Sequence, residues 1–342
     1  MLRRVPSFIH RSFLMRAVVT GASGLLGGNL ALILQEAGHQ VVCTRRAGSR
    51  VAHLDHAQLT WVEADLADEE AMRRAFDGAD WVFHNAAAVT VRQKVTPTIY
   101  DANVTGAERA VRACQAAGAR MIFTSSTVTI GLATGPEPAD ETSTWNLPER
   151  GLGDAYAVTK REGEARALAA AKAGADVVVV NPGYMFGPYD TRPSSGKVLI
   201  ELHRGAIPAL TPGTNSFVDV RDVARGMILA AERGVSGERY ILAGHNLSYT
   251  DAFPMFAEWL GVKAPRFKLP YALCAPIGWA GDLMERLGDA EPLINSSTVG
   301  YGFCPDFRFS SKKAEAALGY TIGPLQPAVM ATMAWFKQAR MV

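Results

Sequence analysis

Tyr156 and Lys160, in the run Asp154-Ala-Tyr-Ala-Val-Thr-Lys160, are the residues best placed to do chemistry. Four residues apart on a helix, a phenol and an ammonium project from one face. The ammonium is expected to lower the phenol's pKa from its ordinary value of about 10. A tyrosine tuned this way exchanges a proton with a carbonyl or carbinol oxygen. Well upstream lies a glycine-rich turn, Thr20-Gly21-Ala-Ser23-Gly24-Leu25-Leu26-Gly27. Such a turn cradles a dinucleotide, so a nicotinamide carrying hydride would complete the reaction. Each motif is weak alone, since Tyr-x-x-x-Lys and glycine triplets also occur in ordinary helices and turns. Context and order along the chain decide.

The elements around both motifs agree. Ala17-Val18-Val19 reads as a buried strand, the glycines follow at once, and Leu25, Leu26, Leu30, Ile33 and Leu34 recur at helical spacing up to Gly38. In this strand, turn and helix, Gly21 allows the tight turn, Gly24 lets backbone approach phosphate, and Gly27 lets helix pack on strand. A second strand, Val41 to Thr44, ends where NAD enzymes usually carry an acid for the ribose 2′-hydroxyl; this chain has Arg45 and Arg46, with Arg50 nearby. Guanidinium suits a 2′-phosphate, so NADP(H) is the preferred cofactor and NAD(H) the alternative. Further strands are expected at 61–63, 81–84, 121–125 and 177–180, with helices at 68–76, 99–117 and 156–173. The alternation predicts an α/β fold with a doubly wound parallel sheet.

In these motifs the chain resembles the extended short-chain dehydrogenase/reductases of the NAD-dependent epimerase/dehydratase group. The motifs are TGASGLLG, Asp65-Leu66, HNAA at 84–87, Asn103-Val-Thr-Gly106, TSSTVTIG at 124–131, YAVTK at 156–160, NPGYMFGP at 181–188, FVDVRDVARG at 217–226 and SSKKAEAALGY at 310–320. Within the group it is most similar to bacterial dihydroflavonol-4-reductase-like and hopanoid-associated sugar-epimerase-like proteins. The resemblance implies a Rossmann domain over 15–182, revisited at about 217–245, and a smaller C-terminal substrate lobe over 183–215 and 246–323. A C-terminal helix at 324–342 follows. It implies Tyr156 as acid/base, Lys160 as its tuner and ribose ligand, and Ser126, with Ser125 as runner-up, as the catalytic hydroxyl. Asn103 would support Lys160 through water. Ser23, Asp65, Leu66, Asn85, Ala86, Ala87, Ala88, Pro182 and Gly183 would join the glycines and arginines around the cofactor. Val89, Thr127, Val128, Tyr184, Met185, Tyr189 and Phe267 are candidates for the substrate pocket. Arg192, Arg221, Arg266 and Arg308 are candidates for a substrate phosphate. The helices at 99–117 and 156–173 would pair in a homodimer, their alanines permitting close approach.

Other readings stay beside these. Asp65 also suits the cap of the helix that follows, Asn103 also suits a solvent-facing position, and His84 reads as a hydrogen-bonded core histidine. The other six histidines show no metal-ligand spacing, and Cys43, Cys114, Cys274 and Cys304 are scattered as in a reducing, cytoplasmic protein. A formal net charge of +2 in 342 residues excludes a basic field for nucleic acid. No apolar run approaches the roughly 20 residues needed to span a bilayer, and the apolar stretch from Pro270 to Gly281 reads as a packed or ligand-lining helix. Residues 1–14 are basic and read as a flexible extension ahead of Met15, or less readily as a targeting peptide.

Three functions remain. The first is an NADP(H)-dependent reductase or dehydrogenase of a ketone or secondary alcohol. The second is a nucleoside-diphosphate-sugar 4-epimerase with tightly held NAD. The third is an NADPH-sensing binding protein, which would not need Ser126, Tyr156 and Lys160. A dehydratase fits poorly, because related dehydratases carry an acid after the catalytic hydroxyl and here Thr127-Val128 follow Ser126.

Overall fold

The computed structural model describes residues 14–288 and 291–342, so nearly all of the N-terminal extension lies outside the described residues. The first half alternates as its sequence predicts: β1 (Arg16–Thr20), α1 (Leu25–Glu36), β2 (Gln40–Arg45), β3 (Thr60–Glu63), α2 (Glu69–Phe76) and β4 (Trp81–His84). Then come α3 (Pro97–Tyr100), α4 (Gly106–Ala116), β5 (Arg120–Thr124), α5 (Ala155–Lys172) and β6 (Val177–Pro182). The strands form one seven-stranded parallel sheet in the order β3-β2-β1-β4-β5-β6-β9, with β9 spanning Arg239–Leu242. This is a Rossmann sheet with its reversal of strand order between β1 and β4. Val177 to Val180 are buried, as a strand covered on both faces requires. Leu30 and Leu34 of α1 pack on one face with Met227, while Met72, Phe76, Ala110 and Ala167 pack on the other.

The helix expected over 99–117 is interrupted. A π-helical segment, Asp101–Thr105, separates α3 from α4. A π turn holds one residue more than an α turn and is found mostly at functional sites. Here the widened turn lets Asn103 reach across to neighbouring elements, as described below.

The smaller C-terminal lobe differs more from expectation. It contains β7 (Tyr184–Phe186), α6 (Lys197–His203), β8 (Thr214–Asp219), β10 (His245–Ser248), α8 (Tyr249–Leu260), α9 (Tyr271–Leu287) and α10 (Ser296–Phe303). Helix α7 (Val220–Arg233) packs on the main sheet, where α11 (Lys312–Leu318) joins it, and α12 (Gln326–Gln338) closes the lobe. Residues 240–242 rejoin the main sheet as predicted, but 217–219 do not. They belong to β8, the centre of a separate three-stranded sheet in the order β10-β8-β7. The reason is two glycines. A side chain at Gly183 would lie 2.6 Å from the Ser216 carbonyl oxygen, and one at Gly244 would lie 2.2 Å from that of Phe217. Only bare backbone lets β6 and β9 hand the chain on to β7 and β10 so close to β8. Phe186, Phe217, Phe256 and Met333 fill the core of this lobe.

Candidate active site

The sequence-selected residues converge on the C-terminal edge of the parallel sheet. Along neighbouring strands they run from Asp65 and Leu66 after β3, through Arg45 and Arg46 at the end of β2 and Gly21 to Gly27 after β1, to Asn85 to Ala88 after β4. Ser126 after β5 and Pro182-Gly183 at the end of β6 complete the row. In open α/β sheets the crevice at this edge, beside the reversal of strand order, is where ligands bind.

The phosphate end fits a dinucleotide. Gly21 has φ +66°, and a side chain there would meet the Ala86 nitrogen at 2.9 Å. A side chain at Gly27 would lie 2.4 Å from the Gly21 carbonyl oxygen, whereas Gly24 has room above it. Helix α1 begins without a capping side chain and without an acid in its first turn, so its positive end is left for an anion. Arg45 and Arg46 pair with no carboxylate among the described residues, which suits a 2′-phosphate. Asp65 is exposed and holds the Ala67 N–H at 3.0 Å, while the cap of α2 is Asp68.

Threonine hydroxyls, not singled out by sequence, stitch the strand ends together. Thr20 Oγ1 accepts the N–H groups of Asn85 and Ala86, each at 3.1 Å, and lies 3.2 Å from His84 Nδ1. Its one proton therefore points at Nδ1, which fixes His84 as a neutral acceptor. Burial, then the nearby Lys160, push His84 down to about 3, so it is the core histidine expected. Thr124 donates to Asn85 Oδ1 at 2.7 Å, and its carbonyl accepts Lys160 Nζ at 2.8 Å.

Helix α5 carries both Tyr156 and Lys160. Asp154 caps it, accepting the Ala157 N–H at 2.8 Å. Tyr156 lies in the first turn of the helix and is half-buried, with Ser126 the hydroxyl that bears on its phenol. Ser125 instead turns inward to Thr129 at 3.2 Å, so the structure favours Ser126 of the two. Lys160 is buried, with its ammonium held by the Thr124 carbonyl and 5.2 Å above the Phe123 ring. The expected lowering of the phenol's pKa is overturned. Burial pushes Tyr156 up to about 12; the Ser126 hydrogen bond pulls the other way, and Lys160 is not among the influences. Burial likewise holds Lys160 down at about 8, opposed by the negative charge of Glu164.

Asn103 is buried, so it does not face solvent. Its Oδ1 accepts the Ala88 N–H at 2.8 Å, and its amide donates to the Ala88 carbonyl at 2.9 Å and to Thr159 Oγ1 at 3.0 Å. Both amide protons are thus committed. Asn103 thereby ties the loop after β4 directly to α5. The backbone contact is equally close, since a side chain at Gly163 would lie 2.2 Å from the Asn103 carbonyl oxygen.

The pocket candidates separate. Val89, Val128 and the buried Thr127 stay beside Ser126 and the cofactor loop. Tyr184 packs against Phe186 and Phe217 and donates to the Ser195 carbonyl at 3.1 Å, making it part of the lobe core, and Met185 packs against the main core. Tyr189 stacks on His56 and meets His53 and Trp335, none of them near Tyr156. Its φ of +70° lies just before Thr191, which donates to the Ser23 carbonyl in the glycine turn ahead of α1. Phe267 is exposed, Arg221 is held by Asp219 at 2.6 Å, and Arg308 donates to the carbonyls of Gly135 and Pro136. Behind Ser126 lies a buried network that sequence reasoning missed. Glu164 accepts from Thr129 at 2.6 Å and Asn181 at 2.7 Å, and its second oxygen faces Arg239 at 3.1 Å. Its place four residues after Lys160, on the same helix face, was the available signal.

Residues 17–243 match the model of the NAD dependent epimerase/dehydratase family. A protein from Synechocystis sp. that carries the name dihydroflavonol 4-reductase is 31% identical, the match covering 93% of this chain and 94% of that one. Sterol demethylase protein B of Methylococcus capsulatus is 30% identical, over 96% of this chain and 100% of its own length. Among solved structures, a nucleoside-diphosphate-sugar epimerase from Pseudomonas aeruginosa is 25% identical and superposes with a TM-score of 0.79, over 95% of this chain and 98% of that one.

Proposed function

The chain belongs to the NAD dependent epimerase/dehydratase family, and from that premise we propose an NADP(H)-dependent reductase or dehydrogenase acting on a ketone or secondary alcohol. The family consists of enzymes, and relatives named as reductases, dehydrogenases and isomerases fit that class. The observation that carries the NADP(H) reading is the Arg45-Arg46 pair at the end of β2, free of any carboxylate among the described residues. A 2′-phosphate would take charge-assisted hydrogen bonds there.

Bound NADPH would supply hydride to the carbonyl carbon of the substrate. The chain does the rest. Ser126 holds the substrate oxygen as negative charge develops on it. Tyr156, a protonated phenol at neutral pH, gives that oxygen its proton, and the carbonyl becomes a carbinol. Lys160, one turn further along the same face of α5, would answer the charge of the resulting tyrosinate and hold the nicotinamide ribose. Asn103, through Ala88, keeps the loop over the cofactor in place. Alcohol oxidation runs the same steps backwards. We place the enzyme in the cytoplasm, where its four free cysteines stay reduced.

Fluorescence titration tests the reading. NADPH is expected to bind more tightly than NADH, and Arg45→Asp with Arg46→Ala is expected to reverse the order. Equal affinities in the parent protein would remove the NADP(H) reading. They would favour the second reading, a nucleotide-sugar 4-epimerase, which the superposition on the Pseudomonas aeruginosa enzyme supports. That reading expects NAD to survive purification and UDP- or GDP-sugars to interconvert.

A further inference from the structure

The stretch from Pro270 to Gly281 was expected to be a packed or ligand-lining helix, yet in α9 Leu273, Ile277, Trp279, Leu283, Met284 and Leu287 are each at least 54% exposed. At about 100° per residue these six, with Ala272, Pro276 and Ala280, sweep half of the helix circumference without one charge. The opposite face is the packed one. Gly278 and Gly281 lie against the backbone of Ile294 and Asn295. Asp282 accepts the Ser296 N–H at 3.0 Å, and Glu285 accepts those of Gln93 and Lys94 at 3.0 and 3.1 Å. Asp282 and Glu285, the acids that α9 places inward, are thus satisfied, and its outward face is left uncovered by the described residues. Phe267 and Leu293, just before and just after the helix in the chain, are exposed as well.

The border of this surface is basic. Lys263, Arg266 and Lys268 stand exposed on the segment leading into α9, and Arg286 is exposed on the helix flank. None of the four forms an ion pair among the described residues. We propose that α9 docks this protein on an anionic lipid surface, the apolar face entering the headgroup region and the four cations meeting lipid phosphates. An uncharged helix face with cations beside it is the arrangement of an interfacial helix. A second copy of the chain suits the face less. A two-fold contact would place the same four cations against each other, without a carboxylate on the face to answer them. The docked helix would also touch the active site's surroundings, because Glu285 holds the loop that leads on from Ala88 and Val89. The docking stands whether the enzyme is a reductase or an epimerase.

Co-sedimentation of the full chain with vesicles tests this. Vesicles of phosphatidylcholine containing about 30 mol% phosphatidylglycerol are expected to bind the protein at least about tenfold more tightly than phosphatidylcholine alone, and less in high salt. Leu283→Glu with Leu287→Glu is expected to weaken binding about tenfold or more, and Lys263→Glu with Lys268→Glu to abolish the preference for anionic vesicles. Both double variants should keep the parent's NADPH affinity, which reports that they fold. Failure of the parent to sediment would overturn the proposal. So would binding that survives both variants, which would put the contact elsewhere. A light-scattering mass that halves in the leucine variant would overturn it too, by placing a second copy on this face.

Discussion

Replacing Glu164 by glutamine tests the network behind the catalytic hydroxyls. Glu164 is fully buried, and its two oxygens divide the work. One accepts Thr129 and Asn181; the other faces Arg239 at 3.1 Å and Arg161 at 3.4 Å. Glutamine keeps one acceptor oxygen but turns an NH2 group toward a donor, either Asn181 or the arginines. Breaking a buried ion pair costs about 3–5 kcal/mol when the remaining charge is left without compensation. Here Arg239 retains 17% exposure and a carbonyl partner at Glu141, and Arg161 is 36% exposed, so solvent recovers part of that. The expected loss is therefore about 2–3 kcal/mol, read from urea unfolding. Changing both partners, Glu164→Gln with Arg239→Leu, should cost less than the two single losses added together. A second effect is chemical. Glu164 props up the proton affinity of Lys160, so its neutralisation should lower Lys160 below about 8. If the protonated lysine is what works beside Tyr156, the alkaline fall in kcat/KM should move to lower pH. A loss under about 0.5 kcal/mol with an unmoved pH profile would refute this account of the network.

Three further outcomes are expected. Lys160 has its folded pKa near 8, below its ordinary 10.5, so the unfolded chain binds the extra proton between those values and stability should rise with pH across that window; Lys160→Met should flatten the rise, and a parent protein with pH-independent stability there would contradict the burial of the ammonium. Tyr156→Phe should leave cofactor affinity nearly intact and lower turnover by about 10² or more, the usual scale for a positioned acid, and near-normal turnover would take Tyr156 out of the mechanism. Light scattering at micromolar concentration should give a homodimer mass, with α4 and α5 meeting their symmetry mates; Ala107, Ala110, Ala113 and Ala167 are buried in their own subunit, so the contact would use Glu108, Arg112 and Arg166, and a single-chain mass would reject it.

The parallel sheet was legible because its information is local. Each strand is a short apolar run, and the glycine turn and Tyr156-x-x-x-Lys160 are each read within one element. What escaped the sequence depends on contacts between distant segments. Nothing near Asn103 announces that its amide closes on Ala88 and Thr159, or that the helix must open a π turn to allow it. The direction of the Tyr156 shift was misread because spacing reports proximity, whereas burial by the surrounding fold decided the balance. Strand β8 was assigned to the wrong sheet for a similar reason. Its apolar pattern fits either sheet, and the choice lies in Gly183 and Gly244, whose need for bare backbone appears only when β8 crosses them. The stretch from Pro270 to Gly281 read as packed or ligand-lining because apolar composition says nothing about which side of a helix the fold will cover.

The π segment at Asp101–Thr105 also has a meaning in the chain's length. One residue more than an α-helix needs is lodged there, so α3 and α4 are out of phase by about 100°. Deleting any single residue of the five would leave a sequence able to run as an uninterrupted helix from Pro97 to Ala116, with every turn regular. It would also swing Asn103 off Ala88 or rotate the whole of α3 about its axis. The surplus residue is therefore a register mark: the backbone gives up one regular turn so that two stretches of a single helix can obey different neighbours.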